Sequence, residues 1–138
     1  LSSATELYQN SIGAKLMNTL MQKVMSKALE NKPKEETIKI LEIGAGTGGT
    51  TAYLLPKLDA DSTEYVFTDI SPLFTTKAAE KFKDYSFVKY QLLDIDKEPK
   101  LQGFNLQEYD LIIAANVLHA TQDLQKTLLH IQQLLSAK

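Results

Sequence analysis

A glycine-rich loop preceded by a carboxylate is the first part of this sequence that could do chemistry. Residues 41–51 read LEIGAGTGGTT. Gly44, Gly46 and Gly49 have the G-x-G-x-x-G spacing of a dinucleotide-binding loop, and Gly44 with Gly49 also fits the spacing of a P-loop. A P-loop requires a lysine directly after its second glycine, where this chain has Thr50, so that interpretation is excluded.

Glu42, two residues before the first glycine of the loop, distinguishes between a dinucleotide and a cofactor that carries positive charge. A carboxylate at this place repels a pyrophosphate but attracts an ammonium or sulfonium group. S-adenosylmethionine carries both cations, together with a carboxylate that exposed backbone N–H groups of the loop could bind. A nicotinamide-binding oxidoreductase domain is the alternative that the glycine spacing alone would allow. The loop residues expected to bind S-adenosylmethionine are Glu42, Gly44, Ala45, Gly46 and Gly48.

Two more acids follow predicted strands. Asp69 ends the second strand, where acids of nucleotide-binding α/β folds accept hydrogen bonds from ribose hydroxyls, and Ile70 is grouped with it as a cofactor residue. Asp69 could instead cap the next helix, but Ser71 already fills that role.

The third strand ends at Asp94, which is expected to accept a hydrogen bond from the adenine amino group. Ile95 is grouped with it as a cofactor residue. Asp96, two positions later, could serve in place of Asp94, and either acid could be an ordinary loop carboxylate.

These residues are positioned by alternating β-branched runs and helical patterns, which indicate a parallel sheet with crossover helices. Ser71 and Pro72 mark one helix start, and the segment 94–108 is a polar loop. The predicted strands span 37–43, 65–69, 87–93 and 109–115, and the helices span about 14–30, 48–58, 72–83 and 121–135. The second-last helix should bury Phe74, Ala78 and Phe82, and the last should place Leu124, Leu128, Ile131 and Leu135 on one face.

The predicted fold class is α/β, a Rossmann-like open parallel sheet with helices on both faces and strand order 3-2-1-4. We expect one domain over residues 1–138, with an N-terminal helical segment at 1–32 and the core at 36–138.

Composition and charge exclude several classes of protein. The chain has 138 residues, 43% hydrophobic and 23% charged, as in one ordinary globular domain. A net charge of -2 with scattered basic residues argues against nucleic acid, and no apolar run approaches the roughly 20 residues of a membrane span. No cysteine is present, which excludes disulfides and thiolate sites, and no signal peptide is evident. We therefore expect a cytoplasmic protein.

Four segments together resemble a known family. They read ILEIGAGTGGTT, YVFTDIS, LLDIDKEPKLQGF and YDLIIAANVLHAT, over roughly residues 36–135. The first resembles class I methyltransferases in general. The other three are similar to the C-methyltransferase domains of polyketide synthases and hybrid synthases, and NVLHAT with the QGF loop is the most specific part.

The resemblance implies a reaction and its partners. Domains of this family methylate the α-carbon of a β-ketoacyl thioester on an acyl carrier protein, beside other synthase domains of the same polypeptide in secondary metabolism. His119 is then the candidate base, because an imidazole titrates near neutral pH. Asn116 is grouped with the cofactor residues, and it could instead orient the substrate or hold a backbone turn. His130 is expected at the surface or boundary of the last helix. The two histidines lack metal-ligand spacing, so no metal is expected.

The family pattern also implies a C-terminal truncation. Similar domains continue with three further strands, one of which carries an acid that pairs with the histidine, and the first residue here is Leu1. A fragment of this kind is expected to bind cofactor without efficient turnover and to show mobility or dimerisation at the fourth strand. Two functional alternatives stay open: an N- or O-methyltransferase acting on a peptide or small molecule, and a docking remnant without activity.

Overall fold

The computed structural model describes residues 36–114 and 123–136. The helix predicted at 14–30 lies outside these residues. In chain order the elements are β1 (Ile38–Glu42), α1 (Gly49–Leu54), a 3₁₀ turn (Leu55–Lys57), β2 (Thr63–Asp69), α2 (Pro72–Lys81), β3 (Val88–Leu92), a second 3₁₀ turn (Pro99–Gln102), β4 (Leu111–Ile113) and α3 (Leu124–Leu134).

The four strands form one parallel sheet in the order β3-β2-β1-β4, so the predicted order is confirmed. Glu42 of β1 pairs with Phe67 of β2 and with Ile113 of β4, and Asp69 of β2 pairs with Leu92 of β3. Parallel strands end at the same edge of a sheet, which places the acids at the ends of β1 and β2 near each other.

Apolar clusters cover both faces of the sheet, as a Rossmann-like fold requires. Side chains alternate between the faces because successive residues of a strand point to opposite sides. The cluster that includes α1 and α2 contains Ile38, Ile40, Ala45, Leu54, Leu55, Tyr65, Phe67, Ala78, Phe82, Val88 and Ile113. The cluster on the α3 face contains Leu41, Ile43, Val66, Leu93, Ile95, Phe104, Tyr109 and Leu134.

The start of α2 follows the predicted chemistry. Ser71 is the N-cap and its hydroxyl accepts a hydrogen bond from the Leu73 N–H, while Pro72 occupies the first turn. Ala78 and Phe82 are buried as predicted, whereas Phe74 is only half-buried.

The last helix packs through a different face from the one predicted. Its leucines occupy both sides of the helix, so their spacing could not identify the buried side. The buried residues are Thr127, His130 and Leu134. Leu124, Leu128 and Leu135 of the predicted face are instead exposed, whereas Ile131 of that face is partly buried and packs against the cluster on the α3 face. The buried face is the one that bonds to the loop after β3, as described below.

The C-terminal end of α3 also differs from the prediction. The helix ends at Leu134, and Leu135 forms a parallel bridge with Tyr109. The Ser136 N–H donates to the Tyr109 carbonyl at 2.7 Å, and its hydroxyl donates to Asp110 Oδ1 at 3.2 Å. This short pairing lies just before β4. No helix within 36–114 or 123–136 has the length and apolar character to cross a membrane.

Candidate functional site

Three predicted cofactor acids lie at or just beyond the carboxyl ends of neighbouring strands. Glu42 ends β1, Asp69 ends β2, and Asp94 follows β3 by two residues. The glycine loop leaves the sheet at the same edge, directly after β1. Ligands of open α/β sheets bind at this edge, so the topology brings together the three acids that the sequence singled out.

Glu42 is a buried carboxylate with two hydroxyl partners. The residue is 3% exposed. Its Oε1 accepts hydrogen bonds from the Thr51 hydroxyl of α1 and from the Tyr65 hydroxyl of β2, the latter at 2.6 Å. Within the described ranges no basic side chain forms an ion pair with Glu42, and Oε2 accepts no hydrogen bond.

The protonation of Glu42 follows from this environment. Burial raises the pKa of Glu42 to about 7, against the smaller lowering effects of the Thr51 and Tyr65 hydrogen bonds and with a further rise from the charge of Asp69. Burial also raises the pKa of Tyr65 well above its ordinary value. Tyr65 therefore remains a hydrogen-bond donor, while Glu42 changes charge near neutral pH.

Positive backbone φ angles shape the glycine loop. Gly44, Gly46 and Gly48 have φ angles of 64°, 57° and 83°, a region that side chains disfavour. A Cβ atom on Gly48 would lie 2.9 Å from Phe82 Cε2, whereas one on Gly46 would meet nothing within 4 Å. Gly48 therefore permits close packing, and Gly46 borders open space.

Three backbone N–H groups of the loop are bonded within the protein and are not free for a ligand carboxylate. The Ala45 N–H donates to the Thr68 carbonyl at 2.9 Å, and the Gly48 N–H donates to the Ala45 carbonyl at 3.0 Å. The Gly46 N–H donates to Asp69 Oδ2 at 2.9 Å. These three groups hold the loop in shape, because a tight turn must satisfy its own buried donors.

Asp69 links the loop to the start of α2. Besides the bond from Gly46, its Oδ1 accepts a hydrogen bond from the Ser71 N–H at 3.0 Å. The residue is 6% exposed, and each carboxylate oxygen retains a second lone pair. Ile70, which follows it, is 66% exposed. Ribose binding by Asp69 stays a prediction, and the structure adds a role in bracing the loop.

Asp94 lies in a turn that a glutamine side chain holds. The Asp94 N–H donates to Gln102 Oε1, and Gln102 Nε2 donates to the Asp94 carbonyl, both at 2.8 Å. The Asp94 carboxylate accepts a hydrogen bond from the Asp96 N–H at 3.1 Å. The QGF loop thus contains a residue that fixes the backbone beside the predicted adenine site.

Helix α3 bonds to the two residues that follow Asp94. Thr127 donates its hydroxyl to Asp96 Oδ1 at 3.2 Å, which engages the acid that was the alternative to Asp94. His130 Nδ1 lies 2.6 Å from the Ile95 carbonyl, and His130 is buried, so its expected surface position is wrong. The Ile95 side chain packs in the core and not at an open edge.

Two features of the described residues are compatible with S-adenosylmethionine. The ionised form of Glu42 would offer a negative charge that no described cation neutralises. Open space borders Gly46 in the loop that follows Glu42. In the described part of the chain, no group of three or more histidine, cysteine, aspartate or glutamate residues could hold a metal. Asn116 and His119 lie outside the described residues, and their roles stay predictions.

Sequence reasoning missed the residues that hold the acids in place. Thr51, Tyr65, Gln102, Thr127 and His130 are separated from their partners by between 8 and 35 positions. No local pattern marks them, because each contact forms only when the strands and helices pack. The QGF motif was the sole signal, and it identified the family without revealing a contact.

Comparison with known proteins gives a consistent family. The profile described as "Methyltransferase domain" matches residues 41–138. The chain is 49% identical over 106 residues to the highly reducing polyketide synthase g433 of Fusarium sp, covering 73% of this chain and 4% of the synthase. It is 42% identical over 131 residues to the hybrid PKS-NRPS synthetase thnA of Trichoderma harzianum, covering 94% of this chain and 3% of the synthetase.

Solved structures extend the similarity. The CurJ carbon methyltransferase has 58% identity and a TM-score of 0.94, with 98% of this chain and 36% of that chain covered. The trans-methyltransferase CalH, in complex with SAH, has 51% identity and a TM-score of 0.68, with 72% and 29% covered. The chain thus spans a small part of the synthases and about a third of these structures. The parallel sheet, the glycine loop and the matched residues 41–138 together establish that this chain belongs to the methyltransferase domain family.

Proposed function

We propose that this chain is the S-adenosylmethionine-binding part of a carbon methyltransferase domain in a polyketide synthase or hybrid synthase. The observation that carries the proposal is the buried carboxylate of Glu42 beside the glycine loop, which no described cation neutralises. A site of this charge favours a cationic ligand over a pyrophosphate. The similarity to synthases and to solved carbon methyltransferases supports the same conclusion.

The substrate is proposed to be a β-ketoacyl thioester. The cofactor, when bound, supplies an electrophilic methyl group on a sulfonium. Glu42 would contact the ammonium or sulfonium group of the cofactor, Asp69 would contact its ribose, and Asp94 would contact its adenine. His119 would accept the proton from the α-carbon, which is acidic because two carbonyl groups flank it. The resulting enolate carbon would form the new C–C bond to the methyl group while the bond from that methyl group to sulfur breaks, and the electron pair of the broken bond would stay on sulfur as a neutral thioether.

The partners follow from the relatives. Homologues of this chain are segments of multidomain synthases, which implies other synthase domains as neighbours. An acyl carrier protein bearing the β-ketoacyl chain is proposed as the substrate carrier, and a cytoplasmic location remains a prediction. A single chain of domains would keep the tethered substrate at a high effective concentration.

Ligand titration tests the site. We expect S-adenosylhomocysteine to shift the NMR amide signals of residues 44–49, 69 and 94 of this chain. Replacement of Glu42 by Gln should weaken this binding, because the neutral amide cannot attract the ligand ammonium. Tighter binding of NAD than of S-adenosylhomocysteine would instead support an oxidoreductase domain, and no binding of either would support a docking remnant.

A methylation assay tests the chemistry. The complete domain from the parent protein should methylate a β-ketoacyl thioester, and His119→Ala should lower kcat by about 100-fold or more while leaving cofactor affinity unchanged. An aminoacyl thioester as the preferred substrate, methylated equally by the His119→Ala variant, would show N-methylation instead.

A further inference from the structure

Two hydroxyl groups from different elements converge on one oxygen of Glu42. Thr51 lies on α1 and Tyr65 on β2, and both side chains are fully buried. Their bonds to Oε1 fix the orientation of the carboxyl group. Oε2 is left without a hydrogen-bond donor from the described residues.

The charges around Glu42 do not favour its ionised form. Asp69 lies on β2 two residues after Phe67, the residue that pairs with Glu42, and its negative charge further disfavours ionisation of Glu42. Tyr65 is the other titratable group of β2 that faces Glu42. On the side of β4, Glu42 pairs with the apolar Ile113. From α1 it receives only the neutral Thr51 hydroxyl. A buried carboxylate in such surroundings is costly unless a cation arrives.

We propose that Thr51 and Tyr65 are positioning residues that hold Oε1 of Glu42, present Oε2 to the cationic amino-acid part of the cofactor, and couple cofactor binding to release of the carboxyl proton. This inference rests on the proposed function. The neutral carboxyl group loses one proton to solvent, and the carboxylate that remains pairs with the arriving cation. No other bond forms or breaks.

Burial raises the pKa of Glu42, and the two hydroxyls lower it, so they shift the pH at which this exchange occurs. Both donate to the carboxylate form and stabilise it against the effect of burial. Removal of either hydroxyl would make the carboxyl group harder to ionise, so the cofactor would need a higher pH to bind well. Below the pKa of Glu42 binding must displace a proton, and above it no proton remains to be displaced.

Isothermal titration calorimetry with S-adenosylhomocysteine tests the coupling. Titrations in buffers of different ionisation enthalpy report the number of protons released. We expect the parent chain to release most of one proton near about pH 6.5 and almost none from Glu42 near about pH 9. Glu42→Gln provides the baseline, because only the ligand's own amino group can titrate in that variant.

Tyr65→Phe removes one hydroxyl without changing the ring. Relative to the parent, its affinity should be lower by about tenfold near pH 6.5, and the difference should shrink towards none near about pH 9. Tyr90→Phe is the matched control, since the buried Tyr90 hydroxyl has no hydrogen-bond partner among the described residues. Thr51→Val should act like Tyr65→Phe, and Thr51→Ser should restore the parental profile.

The outcomes separate this inference from the proposed function. Equal loss of affinity by Tyr65→Phe and Thr51→Val at every pH, with unchanged proton release, would show a merely structural role and overturn the inference. Parental affinity in Glu42→Gln would overturn the cofactor site itself. If Tyr65→Phe does not fold, the Thr51→Val and Thr51→Ser pair gives the same comparison.

Discussion

The side chain of Gln102 forms a closed pair of hydrogen bonds with the backbone of Asp94. Oε1 accepts from the Asp94 N–H and Nε2 donates to the Asp94 carbonyl, each at 2.8 Å. The Gln102 side chain thus bonds the backbone N–H and carbonyl of Asp94, as a neighbouring strand would, just beyond the end of β3. Gly103, with a φ of 92°, ends the 3₁₀ turn that delivers Gln102 to this position.

Gln102→Ala should therefore loosen the turn at the predicted adenine site. Two backbone groups of Asp94 would lose their partner, at a cost of about 1–3 kcal/mol in the free energy of unfolding. Hydrogen exchange of the Asp94 amide should become faster, and urea unfolding should show the lower stability. Gln125→Ala, at an exposed position of α3, is the control and should change neither quantity. Unchanged exchange at Asp94 would contradict the bracing role.

Gly48→Ala should destabilise the fold more than Gly46→Ala. Both positions have positive φ, so both variants bear a backbone cost of about 1–2 kcal/mol. Only a Cβ on Gly48 would approach Phe82. The ring of Phe82 is buried, with its centroid 6.4 Å from that of the Phe67 ring, so it has little room to move. We expect an additional loss of about 1–3 kcal/mol for Gly48→Ala in denaturant unfolding. Equal losses in the two variants would refute the steric argument.

For affinity towards S-adenosylhomocysteine we expect the opposite order, with Gly46→Ala more impaired than Gly48→Ala. A methyl group on Gly46 projects into open space beside the loop, where the cofactor is proposed to lie. Gly46→Ala is therefore expected to weaken S-adenosylhomocysteine binding by at least about tenfold while it retains more stability than Gly48→Ala. Calorimetric titration of the folded variants checks this. If Gly46→Ala bound S-adenosylhomocysteine as tightly as the parent chain, the ligand would not lie beside Gly46.

Glu42 should make stability depend on pH in an unusual direction for an acid. Its pKa is about 7 in the folded protein, above the ordinary value of 4.5. Between these values the folded protein holds a proton that the unfolded chain has lost, so the free energy of unfolding falls as pH rises from about 4.5 to about 7. The loss is complete above the folded pKa and is on the order of 3 kcal/mol.

Glu42→Gln should remove this contribution. The amide is neutral at every pH, and its oxygen can still accept from Thr51 and Tyr65. Urea unfolding should show the variant close to the parent near pH 4.5 and more stable than it above about pH 7. If the stability difference between the two proteins were independent of pH, the buried ionisation would be excluded as its cause.

Thr127→Val should weaken the contact between α3 and the loop after β3. The substitution preserves side-chain volume and removes the hydroxyl that donates to Asp96. We expect a loss of about 1 kcal/mol in the free energy of unfolding. Thr76→Val, on the exposed side of α2, makes the same chemical change without this partner and should have a smaller effect. A larger loss at Thr76 would contradict the proposed contact.

From the sequence by itself came the order of the sheet, which the structure confirms, and a cofactor site at the ends of its strands, which stays a prediction. Hydrophobic runs separated by helical patterns specify parallel strands, and the glycines and acids after those runs must then meet at one edge. The Ser71 and Pro72 signal also fixed the start of α2, because capping depends on residues adjacent in the chain.

Only the tertiary structure decided which side chains hold the acids. The partners of Glu42, Asp94 and Asp96 come from other elements, and their burial cannot be inferred from local spacing. The same limit explains α3, where leucines lie on both sides and packing against the β3 loop selected the side with Thr127 and His130. Local sequence governs elements whose interactions are local, whereas contacts between distant residues exist only once the chain has folded.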